Sequence, residues 1–93
     1  MIFNIHYDVC RELCDQLMRF KRQKTGNHRA LFAFIFLHFE NLELDWEFLE
    51  NIRTTRNKNK YQGLDINKEM WKSVEMQFDL YISTLIKEIK RRL

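Results

Sequence analysis

Apolar residues recur at spacings of three and four through most of this chain, and the pattern predicts four helices. The first runs from about Asn4 to Arg22. The second follows Asn27, a residue suited to an N-cap, and extends to about Glu40. The third opens at Asp45 and the fourth at Asn67, both again N-cap residues, and the fourth continues to the C-terminus. The first carries its apolar stripe on Val9, Cys10, Leu13, Cys14, Leu17 and Met18.

The second predicted helix differs from the others because its apolar residues point in nearly every direction. They are Leu31, Phe32, Phe34, Ile35, Phe36, Leu37 and Phe39. A helix that is apolar all round must be buried on most sides. Either this segment packs centrally with the other helices wrapped round it, or a second subunit covers one side.

Residues that break helices are scarce, since the 93 residues contain no Pro and only two Gly. The length suits one domain spanning 1–93. Together with the helical spacing, this predicts an all-α fold, an antiparallel bundle of about four helices. Gly26 is expected to take a left-handed conformation in the connection after the first helix.

Charge is grouped in blocks along the chain, although the net charge is only +3. Residues 19–29 are basic, 40–50 acidic and 53–60 basic, which predicts complementary surfaces or simply solvated faces. The apolar runs are too short to span a bilayer, and the start lacks the features of a signal peptide. We therefore expect a soluble cytoplasmic protein with reduced cysteines.

Three possible metal ligands, His6, Cys10 and Cys14, share one helical face at intervals of four residues. The same face carries the apolar stripe, and no fourth ligand is evident, so packing in the core is the favoured interpretation. No metal or cofactor is predicted. His28 and His38 flank the second helix and are interpreted as capping or boundary residues.

The segment from Arg53 to Gly63 is unusually rich in cations and amides. Arg53 and Arg56 stand one helical turn apart, so they lie on one side of the third helix, and Lys60 and Tyr61 follow where that helix is expected to end. Two guanidinium groups near an aromatic ring are suited to a phosphate and a stacked base. The alternative is structural, because cations also stabilise the C-terminus of a helix.

The order of these features resembles the HEPN superfamily, small helical bundles that include toxin ribonucleases and partners of nucleotidyltransferases. The segment from Tyr7 to Leu13 resembles one family helix and Asn27-His28-Arg29 the start of the next, while 53–63 resembles the Arg-Asn signature. The resemblance implies that Arg56 holds the signature arginine position and Asn57 the polar position after it. Tyr61 stands where active members carry a histidine, and no histidine follows it.

Three functions remain open from these residues. The first is a HEPN-like homodimeric interaction module that binds a nucleotide, RNA or a protein partner such as a nucleotidyltransferase, without catalysis of its own. Its predicted binding residues are Arg53, Arg56, Asn57, Lys60 and Tyr61. The second is a metal-independent ribonuclease of a toxin-antitoxin pair, using Arg56 with Tyr61 or an upstream histidine. The third is a structural assembly domain whose arginines pair with the acidic block of another subunit.

Overall fold

The computed structural model describes residues 2–93, which form four α-helices and one short 3₁₀ helix. The predicted all-α class and the four helices are confirmed. The α-helices are α1 (Ile2–Phe20), α2 (His28–His38), α3 (Trp46–Gln62) and α4 (Lys68–Arg92), with the 3₁₀ helix at Glu40–Leu42. No helix within these residues is both long enough and apolar enough to cross a membrane.

The predicted N-caps are confirmed at all three helix starts. The side-chain oxygen of Asn27 accepts a hydrogen bond from the Ala30 amide, and that of Asn67 accepts one from the Met70 amide. At the start of α3, Asp45 accepts from the Glu47 amide at 2.9 Å. Each bond satisfies a first-turn amide that has no acceptor within its own helix, and so fixes the residue at which the helix begins.

The left-handed residue after α1 is Arg22, with φ 60°, and not Gly26 as predicted. There the Gln23 amide donates to the Met18 carbonyl at 3.3 Å, a bond that closes the end of the helix. The glycine in left-handed conformation is Gly63, with φ 71°, at the C-cap of α3. Helix α3 therefore extends to Gln62, and the basic segment before Gly63 is helical throughout.

Helix α3 runs antiparallel to α1 and α2, whereas α1, α2 and α4 run in the same direction. The bundle is therefore all-α as predicted, but its helices do not alternate in direction as an antiparallel bundle would require. The connection 21–27 carries the chain back along α1, so that His28 at the start of α2 lies beside Tyr7. Phe39, just after α2, then lies against Lys21 and Arg92, which belong to the ends of α1 and α4. This return path places the start of α2 next to the second half of α3.

The core contains a chain of aromatic contacts centred on Phe78. Its ring meets those of Phe3 and Phe48 edge to face, each at 5.5 Å between centroids. Cys10 and Cys14 are fully buried in the same core. The hydrogen bond with Cys10, together with burial, raises the pKa of the Cys14 thiol. His6 instead packs on Trp71, so these three residues have the packing role favoured from the sequence.

Within this chain α2 is buried on its inner side only. Leu31, Phe32 and Ile35 are almost completely buried, as expected of a core stripe. The outer side remains open to solvent, and Leu37 is 68% exposed. Of the two alternatives predicted for this helix, the first, central packing with the other helices wrapped round it, is not found, because α1 and α3 pack against one side only.

Candidate functional site

A polar cleft of about 300 Å³ lies between the start of α2 and the second half of α3. Its walls combine the predicted basic segment with the residues that begin α2, namely Gly26, Asn27, His28, Arg29, Arg53, Arg56, Asn57 and Tyr61. Four of the five predicted binding residues are thus brought together. Lys60 is not part of the wall; its ammonium lies 5.4 Å from the centre of the Tyr61 ring.

Arg56 is held in place by an aromatic ring and a carboxylate from α1. Its guanidinium carbon lies 5.2 Å from the centre of the Tyr7 ring. One of its nitrogens, Nη2, lies 3.6 Å from Asp8 Oδ1, and the side chain is only 16% exposed. Stacking on a ring restricts a guanidinium without occupying its hydrogen-bond donors. Arg56 therefore retains donors for a ligand in the cleft.

Arg53 is more fully engaged, because it forms a forked pair with Glu50 one turn earlier in α3. Its Nε and Nη2 donate to the two carboxylate oxygens, both at 3.1 Å. These bonds lower the pKa of Glu50, which stays ionised at neutral pH. Arg29, which is largely exposed, approaches the same carboxylate at 3.7 Å. The acidic partner of Arg53 is thus a residue of its own helix.

His28 lines the cleft, and the buried Tyr7 lies directly behind it. The Tyr7 hydroxyl and His28 Nδ1 are hydrogen-bonded at 2.9 Å. Burial raises the pKa of Tyr7 to about 12. Burial, and then the charges of Arg11 and Arg56, lower the pKa of His28. Both groups are therefore neutral at pH 7.

Neutral His28 has two tautomers, and they offer different chemistry. If the Tyr7 hydroxyl donates to Nδ1, then Nε2 carries the ring proton and is a hydrogen-bond donor. If Nδ1 carries the proton and donates to the hydroxyl oxygen, Nε2 has a free lone pair and is a base. The first arrangement suits anion binding, and the second suits proton transfer.

The start of α2 adds backbone donors to the cleft. The side chain of Asn27 satisfies the Ala30 amide, while the amides of His28 and Arg29 belong to the first turn and have no acceptor within the helix. The positive end of the helix dipole lies at the same place. Backbone amides and guanidinium groups therefore converge on one region, which favours an anion.

Helical spacing predicts that Arg53 and Arg56 share one side of α3, and both line the cleft, but it does not identify the residues that surround them. The sequence predicts a capping or boundary role for His28, and it relates Tyr7 only to a family helix by resemblance. Both belong to the site because the 21–27 connection returns along α1. Tyr7 and His28 are 21 positions apart, and no local spacing rule relates residues in different helices at that separation.

One acidic neighbour of the arginines is close in sequence and the other is distant. Glu50 lies one turn before Arg53 in α3 and holds it by a forked ion pair. Asp8 lies in α1, far in sequence from the Arg56 that it contacts. An Arg and a Glu three residues apart on a helix are a recognisable pair, so the first contact was available from the sequence. The second was not.

Comparison of the chain with known protein families, curated proteins and solved structures found no match. The functional interpretation therefore depends on the geometry and chemistry of this cleft.

Proposed function

We propose that this protein is a HEPN-like, homodimeric interaction module that binds the phosphate groups of RNA or a nucleotide, without catalysis of its own. The composition of the cleft wall is the main observation that supports this proposal. The wall includes Arg29, Arg53 and Arg56 and no carboxylate, and it faces the start of α2. Guanidinium forks and free helix amides are the donors that most often hold phosphate in proteins.

The ligand would contact four kinds of group. Arg29 and Arg56 supply forked donors, and the α2 amides supply the backbone contribution. The Asn57 side chain offers an amide to a sugar or base. The ring of Tyr61 is 71% exposed at the edge of the cleft, where an unpaired base could stack on it.

Two carboxylates near the cleft limit its affinity. A phosphate that engages Arg53 must compete with Glu50, which holds that guanidinium by two hydrogen bonds. A phosphate that engages Arg56 must likewise compete with Asp8, whose carboxylate lies 3.6 Å from that guanidinium. The cleft should therefore bind weakly to a single phosphate and more tightly to a chain of phosphates, and its affinity should fall as salt concentration rises.

Isothermal titration with single-stranded RNA and with a mononucleotide tests this proposal, using two variants that each remove one positive charge from α3. Arg56→Gln removes a cleft donor, whereas Lys58→Gln changes an exposed residue that is not part of the cleft wall. A charge-assisted hydrogen bond contributes about 1.5–3 kcal/mol. Arg56→Gln should therefore weaken binding roughly 10- to 100-fold, and the control only slightly. Equal losses in the two variants would contradict a specific site.

A second candidate is a metal-independent ribonuclease, and the position of His28 favours it. The imidazole lines the same cleft as Arg56. In the tautomer with a free Nε2 lone pair, His28 could take the proton of a ribose 2′-hydroxyl. The 2′-oxygen would attack phosphorus, and the bond to the 5′-oxygen would break as that oxygen takes up a proton from water, giving a 2′,3′-cyclic phosphate and a 5′-hydroxyl while Arg56 stabilised the developing charge.

Incubation of labelled RNA with the purified protein and a chelator separates the two candidates. The controls are His28→Gln, which removes the proposed base, and His38→Gln, which changes a histidine outside the cleft wall. Cleavage that is lost in the first variant and kept in the second would support the enzyme. Intact RNA, with binding still measurable by titration, would leave only the interaction module.

A further inference from the structure

The outward side of α2 is an apolar surface, which we call the outer α2 surface. It consists of Ala30, Ala33, Phe36, Leu37 and the neighbouring Trp46. A groove of about 290 Å³ runs between α2 and the start of α3, and its wall is almost entirely apolar. Phe36 and Trp46 meet edge to face at 5.9 Å along this groove. Leu37 projects beside it and is 68% exposed.

Charge is distributed unequally at the two ends of this surface. The end at the start of α2 is basic, with Arg29 66% exposed and the arginines of the cleft close by. The opposite end carries the exposed carboxylates of Glu40 and Glu43, which follow α2 directly. Lys21 and Arg92 lie at the same end, against the buried Phe39 ring. The outer α2 surface is apolar in the middle, with Arg29 at its basic end and the two carboxylates at its acidic end.

We infer that a second copy of this chain covers the outer α2 surface, with the two α2 helices packed antiparallel about a twofold axis. A twofold axis that crosses α2 between Ala33 and Phe34 places the Leu37 side chain against the partner's Ala30. A large exposed side chain then meets a small one in each half of the interface. The same operation brings the basic end of each copy to the acidic end of the other, as a self-complementary interface requires.

The antiparallel arrangement is favoured over a parallel one by the charges. A parallel pair would bring Arg29 near the partner's Arg29 and would juxtapose the two acidic ends. Like charges brought together in this way oppose association. Antiparallel α2 helices also place their dipoles in opposite directions. Aromatic and large aliphatic residues in the middle of the surface are the types that contribute most to protein interfaces.

The inference deepens the homodimer of the proposed function by naming its surface. A second groove, lined by Asn27, Arg29, Ala30, Ala33 and Trp46, joins the apolar groove to the polar cleft. The interface therefore shares Asn27 and Arg29 with the cleft, whereas Arg53 and Arg56 of α3 line the cleft and neither groove. The two clefts of the dimer lie at opposite ends of the paired α2 helices.

Sedimentation equilibrium of the full chain and of two charge-insertion variants tests the surface. Leu37→Glu places a charge in the proposed interface, whereas Leu80→Glu places one on α4, where the leucine is 61% exposed and outside this surface. The wild type and Leu80→Glu should be dimers. Leu37→Glu should raise the dimer dissociation constant at least roughly tenfold, because an interface centre tolerates no unpaired charge. Circular dichroism confirms that both variants remain helical.

A charge swap tests the antiparallel arrangement. Arg29→Glu and Glu40→Arg should each weaken the dimer by roughly threefold or more, and the double variant should recover most of the loss, since it restores opposite charges across the interface. A monomeric wild type at hundreds of micromolar would overturn the dimer itself. A dimer that resists Leu37→Glu would overturn this surface, and a double variant without recovery would overturn this orientation. Neither result would bear on ligand binding by the cleft, which the titration with RNA tests separately.

Discussion

Glu50 competes with the proposed ligand for Arg53, and its replacement by glutamine should strengthen binding. The two hydrogen bonds from Arg53 to the carboxylate are both 3.1 Å long. A phosphate can use Arg53 only after these bonds break. Glu50→Gln removes the negative charge and keeps the size of the side chain, so that Arg53 becomes available while the local packing is preserved.

The expected size of the effect follows from the exposure of the pair. The side chains of Arg53 and Glu50 are 19% and 26% exposed, which places their interaction between that of a surface pair and that of a buried one. Such a pair contributes about 0.5–1.5 kcal/mol. Its loss should lower the free energy of unfolding by that amount and tighten phosphate binding roughly 2- to 12-fold.

Titration calorimetry with RNA measures the affinity, and guanidinium denaturation measures the stability. The matched control is Glu47→Gln, which removes the same charge from the same helix at an exposed position outside the cleft wall. This control should change affinity less, through long-range charge alone. If both variants tightened binding equally, or if Glu50→Gln weakened it, the competition between Glu50 and the ligand would be refuted.

Three further predictions concern the fold. Phe78→Ala should lower the free energy of unfolding by about 3–5 kcal/mol in chemical denaturation, because the ring is fully buried among other rings; a loss below about 1 kcal/mol would contradict its central position. Gly63→Ala should lower the free energy of unfolding by about 1–2 kcal/mol, because the φ angle of Gly63 is 71° and only glycine adopts it without strain. Its control is Gly26→Ala, where an added Cβ meets nothing within 4 Å. In the same assay this control should leave the free energy of unfolding unchanged or raise it slightly. The hydrogen bonds from Arg91 and Arg92 hold the pKa of buried Glu88 at about 2. Its stabilising contribution is therefore complete above the pKa of about 4.3 that it has when unfolded, and is lost as the pH falls toward 2. Glu88→Gln should make the free energy of unfolding depend less on pH in this range. If the dependence on pH stayed as steep as in the wild type, this role of Glu88 would be excluded.

The helical framework could be predicted from the sequence because its determinants are local. Asn27, Asp45 and Asn67 each cap a helix within three residues of themselves. The end of α1 was less predictable, since Arg22 takes a left-handed conformation that glycine adopts more easily. The bond from the Gln23 amide to the Met18 carbonyl fixes the turn there, four residues before Gly26.

The candidate site was only half predictable. Arg53, Arg56 and Asn57 share one helix, and their helical spacing placed them on one side of it. Nothing in their spacing indicated that Tyr7 would support Arg56 or that His28 would lie next to it. No histidine follows Tyr61 in the sequence, yet the fold supplies His28 to the same cleft from α2.

The sequence by itself determined the helices, their caps and the side of α3 that carries the arginines, because backbone hydrogen bonding and apolar spacing act over a few residues. Only the tertiary structure decided how the helices meet. The return of connection 21–27 along α1 brings Tyr7 and His28 to the arginines, and it leaves the outer side of α2 exposed. Both outcomes depend on contacts between residues distant in sequence, whose pairing is fixed by the packing of the whole bundle and not by local periodicity.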